Sequence, residues 1–96
     1  MPGGAIFRAA TADEPAAVKI DNFTFSPSPL RIKPGTEVTW TNHDDIPHSI
    51  VLPRLNARSK AIDTDGSLVY RFDKAGTFDY ICGLHPHMKG KVVAGS

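Results

Sequence analysis

A single cysteine, Cys82, has no partner for an internal disulfide, so it must be a buried neutral thiol, a reactive nucleophile, a metal ligand or half of an intermolecular bridge. No stretch approaches the roughly 20 apolar residues of a membrane span. Charge of either sign is also in short supply. With 22% charged residues, 41% hydrophobic residues and a formal net charge of +1, nothing points to a disordered tail, nucleic-acid binding or a polyanionic partner. Ninety-six residues leave no room for a second domain, yet suffice for one independent core. Met1-Pro2-Gly3-Gly4 lacks the basic-then-apolar pattern of a secretion signal and reads as a start or a trimmed boundary, so the compartment is not legible directly. Internal repeats, low-complexity tracts and a convincing helical period are missing as well.

What is present has period two. Val18 and Ile20, then Phe23 and Phe25, alternate with polar residues before Ser26-Pro27-Ser28-Pro29 breaks the run. Leu30 and Ile32 follow, Pro34-Gly35 supplies a turn, and Val38 and Trp40 share a face. After a polar loop from Thr41 to Asp45, His48, Ile50 and Leu52 have one parity, so a core-facing Ile50 and Leu52 carry His48 inward with them. Leu68, Tyr70 and Phe72 alternate, residues 73–76 turn, and Phe78, Tyr80 and Cys82 run in phase, which ends a strand on an inward cysteine. Lys89 to Ala94 reads as a last strand. Pro53 to Gly66 is the least patterned stretch and is expected to hold an irregular connection, a short edge strand or one helical turn. The pattern predicts an all-β protein, an antiparallel Greek-key β-sandwich of seven to eight strands. Residues 16–96 are expected to form the domain, with residues 1–15 as an N-terminal arm or first strand.

The chemistry lies near the end of the chain, in Cys82-Gly83-Leu84-His85-Pro86-His87-Met88. Cys82, His85 and Met88 recur at spacings of three and offer a thiolate, an imidazole and a thioether, a mixture that soft or borderline copper prefers over hard, oxygen-seeking ions. A blue-copper centre takes two histidines and a cysteine in a trigonal plane with a weak axial methionine, and His48 in Ile46-Pro47-His48-Ser49-Ile50 completes that set. Taken singly, each residue has an ordinary explanation: a lone cysteine or methionine fills cores, and a lone histidine bonds to backbone. His43, beside Asp44 and Asp45, reads as solvated, and Trp40 as a core anchor.

These residues make the chain resemble the cupredoxins, and among them the amicyanin-like type I copper proteins. The likeness runs from about Val18 to Ala94 and rests on Val38-Thr39-Trp40-Thr41-Asn42, Ile46-Pro47-His48, Gly76 to Cys82, and His85 to Val93 with its short Cys-x-x-His-x-x-Met loop. The resemblance implies one copper ion held by His48, Cys82, His85 and Met88, and one-electron transfer between redox protein partners. It further implies no enzymatic activity, a monomer, and a periplasmic or otherwise exported setting. Docking is expected through an apolar patch of Ile46, Pro47, Leu84 and Pro86 around His85, where the electron would leave.

Two positions depart from the family pattern. An Asn after the first histidine commonly bonds a Ser or Thr after the cysteine; Ser49 and Gly83 stand there instead, so that side-chain tie cannot form in the usual way. Ser49 keeps its backbone N–H for the Cys82 sulfur. His87 occupies a place that amicyanins generally give to an aromatic, on the docking surface, and would make docking depend on pH near an unperturbed histidine pKa of about 6.5.

Three other functions fit parts of the pattern. A Cu(I) delivery or storage protein would use the same donors in an exchangeable site, although the chain is not Met-rich. A zinc enzyme would use Cys-His-His with an open position, yet no Glu lies near the loop to serve as base. Nucleophilic catalysis by Cys82 with His85 or His48 would require an exposed thiolate, which the phase of Cys82 with Phe78 and Tyr80 opposes.

Overall fold

The computed structural model describes residues 15–95. Among the described residues nine strands divide between two sheets: β1 (Ala16–Asp21), β2 (Thr24–Ser26), β3 (Leu30–Ile32), β4 (Thr36–Asn42), β5 (Val51–Leu52), β6 (Ala57–Arg58), β7 (Ser67–Phe72), β8 (Gly76–Ile81) and β9 (Lys89–Ala94). One sheet has the order β2-β1-β4-β7 and the other β3-β9-β8-β5-β6. The chain crosses from sheet to sheet after β2, β3, β4, β6 and β7, as a Greek-key sandwich requires. Two pairings depart from the expected antiparallel pattern: β1 with β4 and β3 with β9 run parallel, because in each case the chain visits the opposite sheet before returning alongside.

The strand count exceeds seven or eight because of two-residue strands that periodicity cannot register. The unpatterned stretch after Leu52 proves to hold both a 3-10 turn, Pro53–Leu55, and the short edge strand β6. Asn56, in the left-handed region at φ 51°, ends the turn and reverses the chain onto β5. The expectation for residues 1–15 as an arm or first strand falls almost wholly on residues 1–14, outside the described residues.

Alternation fixes what the core contains. Val18, Ile20, Val38, Trp40 and Phe72 project inward from one sheet, and Phe78, Tyr80, Cys82, Val92 and Ala94 from the other, all buried. Trp40 meets Tyr80 edge to face at 5.3 Å between ring centroids, and Phe25 meets Tyr80 at 4.8 Å. Such pairs contribute about 0.5–1.5 kcal/mol each beyond the burial of their area. Gly90 lies opposite Tyr80 in the β8–β9 register, and a Cβ there would fall inside the Tyr80 ring envelope. The large phenol of one strand is therefore housed by the missing side chain of the next.

One sequence expectation fails in an informative place. Val18, Ile20, Phe23 and Phe25 do not form a single run, because Asn22 and Phe23 make a two-residue hairpin loop with φ of 53° and 58° between Asp21 and Thr24. Both positive angles match the type I′ turn whose twist suits a tight hairpin. The inserted turn lets Ile20 and Phe25 both face the core as a cross-strand pair, and it leaves Phe23 outside, 47% exposed.

Candidate metal centre

The regular spacing of the Cys82–Met88 loop has a hydrogen-bonding cause. The His85 N–H donates to the Cys82 carbonyl at 3.3 Å, and the Met88 N–H donates to the His85 carbonyl at 2.9 Å, so two successive four-residue turns, sharing His85, wind the loop. Pro86 sits at the second position of the latter turn, where its fixed φ is favoured. The Cys82 N–H closes the loop by donating to the Met88 carbonyl at 3.1 Å. Each turn returns the next donor residue to the same side. Cys82 and Met88 are buried and His85 is half-buried, with Leu84, Pro86 and His87 exposed around it.

His48 reaches this loop from the opposite edge. It follows the polar loop after β4 and is clamped by a pair of backbone bonds with Ile62, His48 N–H to the Ile62 carbonyl at 3.2 Å and Ile62 N–H to the His48 carbonyl at 2.6 Å. The side chain is completely buried. Its Nδ1 lies 3.6 Å from the Cys82 sulfur, and His85 Nδ1 lies at the same distance from that sulfur. The three donor atoms all fall within 4.8 Å of one another.

These separations fit a common ion. For metal bonds of about 2.0 Å to nitrogen and 2.3 Å to sulfur, a trigonal arrangement puts S and N roughly 3.7 Å apart. A thiolate with two imidazoles in such a plane is a copper donor set, and the buried Met88 stands at the far end of the same loop.

A carboxylate from the polar loop, Asp44, to which the sequence pattern assigns no role, organises the other side of His48. Asp44 accepts hydrogen bonds from the backbone N–H of Asn22 at 2.5 Å, from the N–H of Phe23 at 2.9 Å and from His48 Nε2 at 2.8 Å. With its proton on Nε2 facing Asp44, His48 presents a bare Nδ1 to the sulfur, which is the tautomer a metal requires. Desolvation raises the Asp44 pKa, but the hydrogen bonds from Phe23, His48 and Asn22 outweigh it and hold the carboxyl below its ordinary range. Asn42 steadies this loop in turn, accepting from the Asp44 N–H at 2.8 Å and donating to the carbonyls of Ile46 and Ile62, both at 2.9 Å. The one sequence signal for Asp44 is its position four residues before His48. His43, by contrast, is exposed as expected.

Ser49 and Gly83 do form a tie, by another route. The Gly83 N–H donates to Ser49 Oγ at 3.0 Å while the Ser49 N–H donates to the Cys82 sulfur at 3.4 Å. The approach is so close that a Cβ at Gly83 would lie 2.6 Å from Ser49 Oγ and 3.1 Å from Val51 Cγ2. Ser49 reaches the backbone on the far side of the sulfur only because residue 83 has no side chain.

Phe23, carried outward by its turn, reaches the same cluster. Its ring meets His85 edge to face at 5.3 Å and His48 at 5.7 Å, at interplanar angles of 90° and 89°. His87 lies beside His85 at 6.4 Å between centroids but outside the donor cluster.

A β-sandwich closed at one end over a thiolate, two imidazoles and a buried thioether is the architecture of a small copper protein. Comparison with known proteins places it further. The family of the cupredoxin-like domain matches residues 5–94. Amicyanin-alpha of Methylorubrum extorquens is 40% identical over 83 residues, covering 79% of this chain and 68% of that protein. Amicyanin of Paracoccus denitrificans is 33% identical over 99 residues, covering 97% and 76%. Among solved structures, an oxidized amicyanin variant superposes with a TM-score of 0.81 at 30% identity, covering 91% of this chain and 88% of that one. A variant in its reduced Cu(I) form gives 0.80 at 32% identity over the same shares. The chain belongs to the cupredoxin-like family, and within it is amicyanin-like.

Proposed function

We infer that this protein is a type I copper protein that carries single electrons between redox partners, its copper held by His48 Nδ1, Cys82, His85 Nδ1 and Met88. The observation that carries this reading is the preformed cluster: two imidazole nitrogens, each 3.6 Å from one buried sulfur, held by the His48–Ile62 backbone pair on one side and the wound loop on the other. Copper supplies the Cu(I)/Cu(II) couple. The chain's own residues keep the donors nearly fixed, so that little needs to rearrange when the charge changes. Asp44 orients His48, Ser49 directs its N–H at the sulfur, and the wound loop spaces Cys82, His85 and Met88.

His85 is the half-buried donor, flanked in its loop by exposed Leu84 and Pro86, while Pro47, beside His48 in sequence, is exposed and Ile46 half-buried; these four form the proposed docking patch. An apolar rim of this kind suits a small, transient interface with a protein donor or acceptor. The protein acts as a monomeric carrier and not as an enzyme, in an exported, periplasmic setting; the likeness to the amicyanins supports that setting.

The alternatives fare less well on specific grounds. Release of Cu(I) to another protein favours an accessible site, whereas His48 and Cys82 are completely buried. A hydrolytic zinc site needs a base facing the open coordination position. Asp44 lies on the remote side of His48 with three hydrogen bonds already made. A nucleophilic Cys82 would have to be reachable, and its side chain is fully covered.

Addition of Cu(II) followed by visible absorption tests the reading. One equivalent is expected to produce an intense thiolate-to-copper charge-transfer band, and Cys82→Ser to abolish it. A Cys82→Ser variant that remains blue would remove the assignment.

A further inference from the structure

The turn that carries Phe23 is unusual in its chemistry. The second position of a type I′ hairpin loop has positive φ and is commonly glycine, since a side chain there crowds the backbone at a cost of order 1–3 kcal/mol. Phe23 occupies it at φ 58°. Hydrophobic burial offsets this only in part, because the residue stays 47% exposed. Two features instead bind this strained turn to the metal centre. The Asp44 carboxylate accepts both of its N–H groups while also holding His48 Nε2. The ring that the turn projects meets both imidazoles edge to face, His85 more closely than His48.

The two histidines need different amounts of help. His48 is buried and its ring is fixed at both nitrogens, by Asp44 on one side and the sulfur on the other. His85 is half-buried; backbone bonds fix its main chain, but its ring has the Cys82 sulfur at Nδ1 and otherwise touches neighbouring rings. Phe23 is the nearer of those rings that belongs to another element and is no ligand, at 5.3 Å.

We propose that Phe23, presented by a hairpin turn latched to Asp44, is a positioning residue that holds the His85 ring in its metal-ligating orientation. This rests on the reading of His85 as a ligand but concerns a property of the metal-free chain. Asp44 couples the two histidines: one carboxylate sets the tautomer of His48 directly and the placement of His85 through Phe23. Without the latch the turn has no partner for its two N–H groups on this side; without the ring, His85 is free to rotate about its side-chain bonds.

Phe23→Gly separates a positioning role from a merely structural one. Glycine accepts the left-handed backbone without strain, so the turn should be retained and the stability of the apo protein should be unchanged or raised. In NMR relaxation measurements on the apo protein, the His85 side chain should lose order while its backbone and the His48 ring do not. In the copper-loaded protein, copper release to a chelator should accelerate by about threefold to tenfold, the size expected from losing one aromatic contact. Phe23→Leu, which restores bulk without an aromatic edge, should fall between. The proposal is overturned if Phe23→Gly leaves His85 as ordered as in wild type, or if both histidine rings loosen together with a loss of stability. Failure of the wild type to give a blue copper band would instead strike the ligand assignment, and the apo measurement would still decide the role of Phe23.

Discussion

Replacing Gly83 by alanine inserts a methyl group where Ser49 Oγ would be 2.6 Å away and Val51 Cγ2 3.1 Å away. The first contact is not sustainable, so Ser49 must withdraw and release the Gly83 N–H it accepts at 3.0 Å. Overpacking of this kind costs about 1–3 kcal/mol. Ser49→Ala alone removes only the hydroxyl and should cost about 1 kcal/mol, the usual value of such a hydrogen bond. In the double variant the severe clash has no partner, and only the contact with Val51 remains. Its cost should therefore fall short of the sum of the single costs by about 1–2 kcal/mol, within the range seen for residues in contact. Urea unfolding of the apo proteins reads this directly. Thermal midpoints should move by roughly 4–8 °C per kcal/mol for a domain of this size. Since the Ser49 N–H also donates to the Cys82 sulfur, Gly83→Ala should in addition shift the copper charge-transfer band, and Ser49→Ala should shift it less. Additive costs in the double variant would refute the proposed contact between Ser49 and residue 83.

Other consequences follow from the core and the loop. Burial pushes the Tyr80 phenol up to about 12, with the nearby Trp40 indole lowering it slightly without a hydrogen bond of ordinary geometry. The unfolded chain releases this proton near pH 10, so the associated stability is complete below pH 10 and declines as pH rises from there through about 12, by about 2–3 kcal/mol in total. Tyr80→Phe should show no such decline in unfolding experiments across that window. At neutral pH it should be neutral or slightly stabilising, because among the described residues the buried hydroxyl has no partner. Gly90→Ala drives a methyl group into the Tyr80 ring and should destabilise by at least about 3 kcal/mol; near-wild-type denaturant midpoints would contradict the β8–β9 register. Met88→Leu keeps an apolar side chain in a buried place, so copper and colour should persist while the reduction potential shifts, measurable by voltammetry; an unchanged potential would place the thioether away from the metal.

Much of this was legible because a sandwich alternates. The inward parity of His48 with Ile50 and of Cys82 with Tyr80 follows from period two, and both side chains are fully buried as that parity requires. The donor spacing of three was visible too, with its cause, the successive turns at His85 and Met88, apparent only in the hydrogen bonds. What escaped notice depends on contacts between distant segments. Phe23 continues an apolar pattern, and nothing in that pattern announces a two-residue turn at positive φ, which Asp44 stabilises from 21 residues away. Asp44 itself sits in a polar loop with Asp45 and differs from it only by what the fold brings near. Ser49 and Gly83 offer no pair of side chains, so their tie is invisible in residue types alone; the backbone N–H of Gly83 serves as donor. Parallel pairing of β1 with β4 and of β3 with β9 is a matter of topology on which alternation is silent.

An anaerobic reductive titration of the copper-loaded protein, followed in the charge-transfer band, bears most directly on the whole account. Three donors already gathered around one position, with buried Met88 at the end of the same loop, should give a band that bleaches with one electron per bound copper and returns in full on reoxidation through repeated cycles. Copper that binds without the band, or is lost on reduction, would contradict a site built to carry electrons.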